Sequence, residues 1–178
     1  MPIAIRRLHA LEPDHITQLS RVLFDCVEGG ASVNFVWPFS EQEAREFWLR
    51  LAPEVQAGTR LLLVAEEAGR VLGTVNLALC WQPNQPHHAD VTKLLVERSA
   101  RRRGVASQLM RELERVALQA GRHLLTLDTE AEGPAERLYT SLGWTRLGVV
   151  PGYALGTYGG MCAATFFYKQ LTERRSVT

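Results

Sequence analysis

The chain has 178 residues, of which 46% are hydrophobic and 22% are charged, and its formal net charge is +1 at pH 7. These values are typical of a soluble globular protein, and they exclude collagen, coiled coils, disordered chains and membrane proteins. The balanced charge gives no reason to expect a nucleic acid or a membrane as partner. The three cysteines are too scattered for a disulfide framework. Because no repeat or linker interrupts the sequence, we predict a single domain over residues 1–178.

The first half of the chain changes from helical to strand-like spacing of its apolar residues near residue 60. Gly29-Gly30 ends the first helical segment, and the turn Glu67-Ala68-Gly69-Arg70 predicts a hairpin. The predicted elements are a strand over residues 2–8, helices over Glu12–Glu28 and Glu41–Gln56, and strands over Arg60–Glu66 and Val71–Trp81.

The second half alternates strands with helices. Its clearest helix has one apolar stripe, and Pro134 suits the first turn of another, because an N–H group there has no helical partner. The predicted elements are a strand over His88–Val96, a helix over Val105–Ala120, a strand over His123–Asp128, a helix over Pro134–Leu142, and strands over Trp144–Val150 and Ala164–Leu171. The order β-α-α-β-β-β-α-β-α-β-β predicts a mixed α/β fold.

A basic loop separates the strand that ends at Val96 from the helix that begins at Val105. Its run Arg101-Arg102-Arg103-Gly104 supplies charge for phosphate oxygens. The first N–H groups of a helix lack helical partners, and a glycine lets a diphosphate approach them closely. The nucleotide-binding patterns Gly-x-x-x-x-Gly-Lys-Ser/Thr and Gly-x-Gly-x-x-Gly are absent. A solvated arginine run at a helix start has the same appearance, so the loop alone leaves phosphate binding open.

Two motifs together resemble the GNAT superfamily of acetyl-CoA-dependent N-acetyltransferases. Arg101–Ala106 is similar to its Arg/Gln-x-x-Gly-x-Gly/Ala loop, and Ala135–Trp144 is similar to its Ala-x-x-x-Tyr-x-x-x-Gly-Phe segment. The resemblance implies a mixed, mostly antiparallel, twisted sheet of about seven strands flanked by about four helices. It also implies acetyl-CoA as co-substrate, bound by Leu94, Leu95, Val96, Arg101, Arg102, Arg103, Gly104, Val105, Ala106 and Ser107.

The resemblance further implies roles for three residues in acetyl transfer. Tyr139 is expected to be the general acid beside the CoA sulfur, because a tyrosine with an ordinary pKa of about 10 is protonated at neutral pH. Asp90 and Asp128 are the candidate bases: one would hold the cationic amine, and the other would accept a proton, directly or through a water. Aspartates at strand ends also cap turns, which is the alternative for both. Where many family members have an asparagine, this chain has Glu132, which leaves that contact open.

The acceptor is predicted to be the amine of a small molecule. The segments Gly29–Val33, Leu127–Ala131 and Pro151–Tyr153 are similar to the tabtoxin-resistance acetyltransferases, which inactivate a β-lactam toxin. The similarity favours an amino-acid-like toxin or antibiotic as acceptor. The residues predicted to line its pocket are Ser32, Trp81 and Tyr153.

Other functions are compatible with the same motifs. The alternatives are an acetyltransferase for a protein N-terminus or lysine, a non-catalytic CoA-sensing module, and a nucleic-acid-binding protein that uses Arg101–Arg103. The near-zero net charge and the lack of interleaved basic and aromatic residues weaken the last. Retention of Tyr139 and Asp128 weakens the sensor. The segments Gly29–Phe39 and Tyr153–Met161 are long enough to cover a pocket, which argues against a protein acceptor.

Neither a metal site nor an export signal is predicted. Histidines, cysteines and acidic residues are not grouped at ligand spacing, and His87-His88 fits a surface pair near a turn. Cys80 and Cys162 are expected to be buried packing residues. The N-terminus lacks the apolar core of a signal peptide, so we expect a cytoplasmic protein. A homodimer is kept open, since the sequence does not fix the oligomeric state.

Overall fold

The computed structural model describes residues 2–172. Its elements in chain order are β1 (Ala4–Leu8), α1 (Pro13–Glu28), α2 (Glu41–Ala57), β2 (Arg60–Glu67), β3 (Arg70–Leu79), β4 (His88–Val96), α3 (Val105–Gln119), β5 (Leu124–Glu130), α4 (Pro134–Ser141), β6 (Thr145–Leu155) and β7 (Met161–Gln170). The strands form one sheet in the order β1-β2-β3-β4-β5-β7-β6, antiparallel throughout except for β4 and β5. The mixed, mostly antiparallel fold expected from the sequence is confirmed. No helix within residues 2–172 is long and apolar enough to cross a membrane.

Each face of the sheet is covered by its own pair of helices, because successive side chains of a strand point to opposite faces. On β2, Leu61 and Leu63 join the core cluster that contains the apolar side of α3. Leu62 and Val64 join the cluster that contains the apolar sides of α1 and α2, including the fully buried Trp48. Since both faces are covered, β2 forms a continuous apolar run.

Local sequence signals fix where the elements begin and end. Ser40 accepts a hydrogen bond from the backbone of Glu43, whose carboxylate accepts one from the backbone of Ser40, and this capping box begins α2. Gly58, with a left-handed φ of 73°, ends the same helix. Ala68 and Gly69 both have positive φ, as a two-residue turn requires when it joins antiparallel strands such as β2 and β3.

The sheet opens between β4 and β5. Their parallel pairing covers only the residue pairs from His88↔Leu124 to Asp90↔Thr126. Beyond this point β4 is paired with β3 alone and β5 with β7 alone, so the two strands separate toward their C-terminal ends. We call this opening the fork. It divides the sheet into a half-sheet of β1–β4 and a half-sheet of β5–β7.

The last two strands are longer than the sequence predicts. β6 continues past Val150 to Leu155, and β7 begins at Met161 rather than Ala164. Pro151 indicates a strand end in the sequence, because it has no N–H group to donate. In the structure β6 is an edge strand, and a register shift between Val150 and Ala154 accommodates the proline. An edge position cannot be inferred from the strand's own sequence.

Candidate active site

A cavity of about 500 Å³ lies in the fork. This volume is within the range of small-molecule sites, about 300–1,000 Å³. Its walls come from the C-terminal halves of β4 and β5, the start of α4, parts of β6 and β7, and the loop between α1 and α2. The predicted site residues that line it are Ser32, Leu94, Arg101, Asp128, Tyr139 and Tyr153.

A bulge in β4 leaves peptide groups of the cavity wall without strand partners. On β3, Thr74 pairs with Leu95 and Asn76 pairs with Thr92, so β4 carries one extra residue between them. Lys93 lies in this stretch with a left-handed φ of 53°. It and the next residue have no partner on β3, and β5 has already separated from this part of β4. Their backbone groups are therefore available to polar groups of a ligand.

The two residues after the bulge support the wall without lining the cavity. Leu95 is fully buried and paired with Thr74 on β3. The carbonyl oxygen of Val96 accepts a hydrogen bond from Nε of Arg101 at 3.3 Å. That contact ties the basic loop to the end of β4.

Within the described residues, the first N–H groups of α3 have no protein partners. Gly104 is the residue that precedes the helix, with a left-handed φ of 78°, and no side chain caps it. The first helical hydrogen bond runs from the N–H group of Gln108 to the carbonyl oxygen of Gly104. The N–H groups that precede Gln108 belong to the buried Val105 and the half-buried Ala106 and Ser107. This arrangement fits a diphosphate, because the unpaired N–H groups and the helix dipole both favour an anion.

The three arginines of the basic loop have different surroundings. Arg101 lines the cavity. Arg102 is exposed and has a left-handed φ of 61°. Arg103 donates a hydrogen bond to the carboxylate of Glu67 at 2.7 Å and holds the pKa of that carboxyl below its usual range. Of the three, Arg101 is therefore the one placed to contact a ligand in the fork.

Tyr139 is almost fully buried at the cavity wall, with 6% of its surface exposed. Its ring packs against Trp144 and Phe167, at centroid distances of 5.9 and 5.7 Å. Burial raises the pKa of its hydroxyl far above the ordinary value, and the charge of Asp128 raises it further. Within residues 2–172 the hydroxyl makes no hydrogen bond to a protein group. A protonated hydroxyl is thus available to a ligand.

Asp128 is one of two carboxylates of β5 that line the cavity, the other being Glu130 at the end of the strand. Loss of hydration raises its pKa above the usual range, the positive charge of Lys93 opposes this shift, and the negative charge of Asp90 adds to it. A carboxyl group with a raised pKa binds a proton more readily than an ordinary aspartate. This is the property that a general base requires.

Asp90 lies outside this cavity and lines a second one, of about 460 Å³, whose other walls come from α2, the start of β2, the end of β3 and the loop that follows it. The hydroxyl of Thr126 donates a hydrogen bond to its carboxylate and lies 2.8 Å from Nε2 of His88. The two candidate bases are separated because Asp90 is on the last residue pair joining β4 and β5, whereas Asp128 follows it on the free part of β5.

The fold gathers three potential metal ligands that are far apart in the sequence. One side-chain donor atom each of Cys80, His88 and Asp90 lie within 4.8 Å of one another. The hydrogen bonds through Thr126 account for the approach of His88 and Asp90 without an ion. His88, one member of the predicted surface pair, therefore belongs to a polar cluster. The absence of a metal remains a prediction from the sequence.

Two loops meet over the cavity. The N–H group of Trp37, in the loop between α1 and α2, donates to the carbonyl oxygen of Thr157 in the turn between β6 and β7, at 2.7 Å. The hydroxyl of Thr157 donates to the carbonyl oxygen of Ala31 at 2.9 Å. Ser32 follows Ala31 in the cavity wall, and Tyr153 packs edge-on against Phe166 on the opposite side. We call the loop between α1 and α2 and the turn between β6 and β7 together the cover.

Trp81 and two cysteines are not where the sequence places them. β3 ends at Leu79, so Trp81 lies in the following loop, 85% exposed, at the second cavity and not in the acceptor pocket. Cys80 and Cys162 are only partly buried, which corrects the expectation of core packing. Cys80 faces the second cavity and Cys162 the first. Both residues lie at or near strand ends, where the helices no longer cover the sheet.

Lys93, which lines the main cavity, is not among the residues predicted from the sequence. Burial lowers the pKa of its ammonium group to about 8. The chain has two lysines, and Lys93 stands in a strand directly before the predicted acetyl-CoA contacts. The rarity of lysine in this chain and the position of Lys93 beside the predicted contacts were the signals from which it could have been found. The bulge that brings the residue to the cavity has no signature in a single sequence.

A model of the acetyltransferase (GNAT) family matches residues 21–144, which include the basic loop and Tyr139. The chain belongs to this family. GNAT enzymes are acetyl-CoA-dependent N-acetyltransferases, so the enzyme class expected from the two motifs is confirmed.

Solved structures agree with this GNAT fold over nearly the whole chain. The N-acetyltransferase of Staphylococcus aureus Mu50 has a TM-score of 0.79 and 19% identity, covering 97% of this chain and 100% of its own. The protein yncA of Salmonella typhimurium, solved with its cofactor acetyl-CoA, has a TM-score of 0.74 and 19% identity, covering 98% and 96%. An aminoglycoside 6'-N-acetyltransferase complexed with coenzyme A has a TM-score of 0.73 and 18% identity, covering 96% and 98%.

The two GNAT motifs lie on different half-sheets. The basic loop continues from β4, and Tyr139 is on α4, which follows β5. Both border the cavity, so the family's sequence signature marks the two sides of the fork.

Proposed function

We propose that this GNAT enzyme transfers the acetyl group of acetyl-CoA to the amine of a small, amino-acid-like molecule, such as a toxin or antibiotic. Both substrates are bound together in one ternary complex. The observation that carries the proposal is the covered cavity in the fork, which has unpaired peptide groups of β4 on one side and Asp128 and Tyr139 on the other.

The residues on the β4 side fit acetyl-CoA, which supplies the acetyl group as a thioester. Unpaired N–H groups at the start of α3 and the guanidinium of Arg101 fit the diphosphate. Backbone groups at Lys93 and Leu94 fit the amides and the carbonyl group of the thioester-bearing arm. Fixed donors of this kind lower the barrier without having to reorganise during the reaction.

The residues on the β5 side fit the proton transfers. The amine must be neutral when its nitrogen bonds to the acetyl carbon, and the carbon–sulfur bond then breaks. Asp128 accepts the proton that the amine loses, directly or through a water, because its raised pKa makes it a better base. Tyr139 donates a proton to the departing sulfur, since burial keeps its hydroxyl protonated. Asp90 acts on this base indirectly, because its negative charge helps to raise the pKa of Asp128.

The cover favours a small acceptor over a protein N-terminus or a lysine side chain. Its two segments are hydrogen-bonded to each other through Trp37, Thr157 and Ala31, so an extended peptide would have to separate them. The structural neighbours include an aminoglycoside 6'-N-acetyltransferase and a ribosomal-protein-alanine N-acetyltransferase, so their names support neither acceptor over the other, and the cover is what favours the small one. Because acetyl-CoA is made inside cells, the proposal implies a cytoplasmic enzyme. Resistance to a toxin would follow if the acceptor is one.

The proposal is tested by measuring thiol release from acetyl-CoA in the presence of a panel of small amines and of peptides with free N-termini. We expect turnover with a small amine and none with peptides. Tyr139→Phe is expected to lower kcat by about 100-fold, the usual scale for a general acid, with acetyl-CoA affinity unchanged. Tyr168→Phe, at a tyrosine outside the cavity lining, is the matched control.

Three results would contradict the proposal. Turnover of peptides alone would support a protein acetyltransferase. Binding of acetyl-CoA with no turnover of any amine would support the CoA-sensing module. Unchanged kcat in Tyr139→Phe would remove Tyr139 from the mechanism.

A further inference from the structure

Lys93 is a partly buried cation beside the main cavity. Its Nζ atom donates to the carbonyl oxygen of Val33, in the loop between α1 and α2, at 2.8 Å. The ring centroids of Phe35 and Phe47 lie 5.5 and 5.6 Å from Nζ. These are cation–π distances, and such contacts replace part of the hydration that the ammonium group loses. They supply no negative charge.

The positive charge of Lys93 is not fully balanced by a nearby anion. Burial and the positive charge of Arg60 both lower the pKa of the ammonium group, while the charge of Asp128 raises it. Within residues 2–172 Lys93 forms no ion pair, whereas Lys169 is held by the carboxylate of Glu114 at 2.7 Å. A cation removed from water is stabilised mainly by a nearby anion. Of the chain's two lysines, the one beside the cavity is therefore the one left ready for an anion from outside.

We infer that Lys93 binds an anionic group of the acceptor, and that this group is a carboxylate. Asp128 lines the same cavity with the opposite charge and receives the ammonium end of the same molecule. The cavity lining also contains Arg101, which belongs to the loop that fits the diphosphate, and Glu130. Lys93 is therefore the cation left for the acceptor, and a cation opposite an anion such as Asp128 recognises a zwitterion. This inference rests on the proposed function, because it assigns the substrate class of that reaction.

Acetyl-CoA does not supply the missing anion. Its phosphates fit the N-terminus of α3 and the basic loop, at the end of β4, whereas Nζ of Lys93 lies against Val33 on the cover. The pantetheine arm and the thioester, which fit the bulge itself, carry no charge. An anion at Lys93 must therefore come from the acceptor.

The test compares ω-amino acids of increasing chain length with their carboxamides. Amidation removes the carboxylate charge, keeps the size of the group and changes the remote amine little. For the best chain length we expect the wild-type kcat/KM to be at least about 10-fold higher for the acid, as for a hydrogen bond to a charged group. Lys93→Met is expected to abolish this preference by raising KM for the acid, so that the acid and its amide have about the same kcat/KM.

Two variants control for other effects of the substitution. Lys93→Arg keeps the charge and is expected to retain most of the preference for the acid. Lys169→Met removes the other lysine, whose partner is Glu114, and is expected to leave the ratio of acid to amide unchanged. A wild type that does not discriminate, or a Lys93→Met variant that still does, would overturn the inference. So would an equal fall of kcat for both acceptors at pH values above the acidic limb of the variant, because Lys93 would then act on the amine.

A binding measurement separates this inference from the proposed function. The N-acetylated ω-amino acids and their amides are titrated by calorimetry into the protein saturated with CoA. If no amine is turned over but the acids bind to wild type and not to Lys93→Met, the proposed reaction fails and the carboxylate site stands. If the acids bind no better than the amides, the carboxylate site fails whatever the turnover.

Discussion

Asp128 and Lys93 influence each other across the cavity, so the pH dependence of the enzyme reports on both. Loss of hydration raises the pKa of Asp128, and the charge of Lys93 limits that rise. A base must be deprotonated to act, so kcat/KM is expected to fall as the pH drops through the raised pKa of Asp128. The acidic limb should therefore lie above the ordinary aspartate value of about 3.9.

Asp128→Asn is expected to remove the acidic limb of the profile of kcat/KM against pH. It is also expected to lower the plateau of that profile by about 100-fold, the scale of a lost general base. Lys93→Met should move the limb to higher pH, because the charge that holds the pKa of Asp128 down is gone. Asp14→Asn, at an exposed position on α1, is the control and should leave the profile unchanged. The measurement is kcat/KM against pH at fixed ionic strength. A limb that persists in Asp128→Asn would assign the base to another group.

At the scale of single residues, the sequence predicted which residues belong to the site better than it predicted the groups that surround each of them. Tyr139 and Asp128 follow from a motif and from a charged residue that ends an apolar strand, and both line the cavity. The separation of Asp90 from Asp128 depends on where the β4–β5 pairing stops, which no residue pattern encodes. Lys93 was missed because its cavity position depends on a bulge between two strands.

The bulge of β4 depends on close contact with its neighbour β3. A Cβ atom at Gly73 of β3 would lie 2.6 Å from the carbonyl oxygen of Leu95, which directly follows the bulge. Backbone cannot move aside as a flexible side chain does, so β4 would have to shift. Gly73 is needed for this close approach of two strands.

Gly73→Ala is therefore expected to lower the free energy of unfolding by about 1–3 kcal/mol, as overpacking does. It should also weaken acetyl-CoA binding, because the peptide groups of the bulge move with β4. Gly148→Ala, on edge strand β6, is the matched control: nothing lies within 4 Å of the new Cβ, and the change is expected to stay within about 0.5 kcal/mol. Urea unfolding and calorimetry measure the two effects. Equal stability of both variants would contradict the role of Gly73.

Helices and strands were predicted correctly where the spacing of apolar residues agrees with the glycine and turn residues at their ends. Gly29-Gly30 marks the end of α1, and the turn that contains Gly69 marks the hairpin of β2 and β3. The C-terminal end of β6 was missed because Pro151 has one meaning in a central strand and another at an edge. Strand order, which decides between them, depends on contacts between distant segments.

The fork makes ligand binding a property of the whole molecule, because acetyl-CoA is proposed to contact both half-sheets. A ligand that binds only the folded state stabilises it by an amount that grows with the logarithm of the ratio of free ligand to dissociation constant. At about 100 times the dissociation constant, acetyl-CoA is expected to raise Tm by about 5–10 °C. Arg101→Ala should reduce this shift, and Arg111→Ala, an exposed arginine further along α3, should retain it.

Hydrogen exchange provides a second measurement of the same effect. Acetyl-CoA is expected to slow exchange at the unpaired amides of the bulge in β4 and at the first N–H groups of α3. Slower exchange in β5 would show that the ligand joins the half-sheets. Absence of a Tm shift in the wild type, or equal shifts in both arginine variants, would contradict the assignment of Arg101 and its loop.

At the scale of the whole chain, the order of elements predicted the fold class, and the two motifs predicted the family. The cavity was implied only through the family resemblance, because its walls come from segments as distant as Ser32 and Tyr153. Which strands separate, and which loops meet over the gap, is decided by the packing of all seven strands together.

The short pairing of β4 with β5 also makes the chain divisible. Gly121, an exposed glycine with a left-handed φ of 70°, lies just before β5, and the polypeptide crosses from one half-sheet to the other there. If the chain were cut at this glycine, three residue pairs between β4 and β5 would still join the two fragments. The salt bridge between Lys169 and Glu114 and the shared hydrophobic core would join them as well. Reassembly of such fragments would then respond to the concentration of acetyl-CoA, so this protein has the architecture of a split reporter.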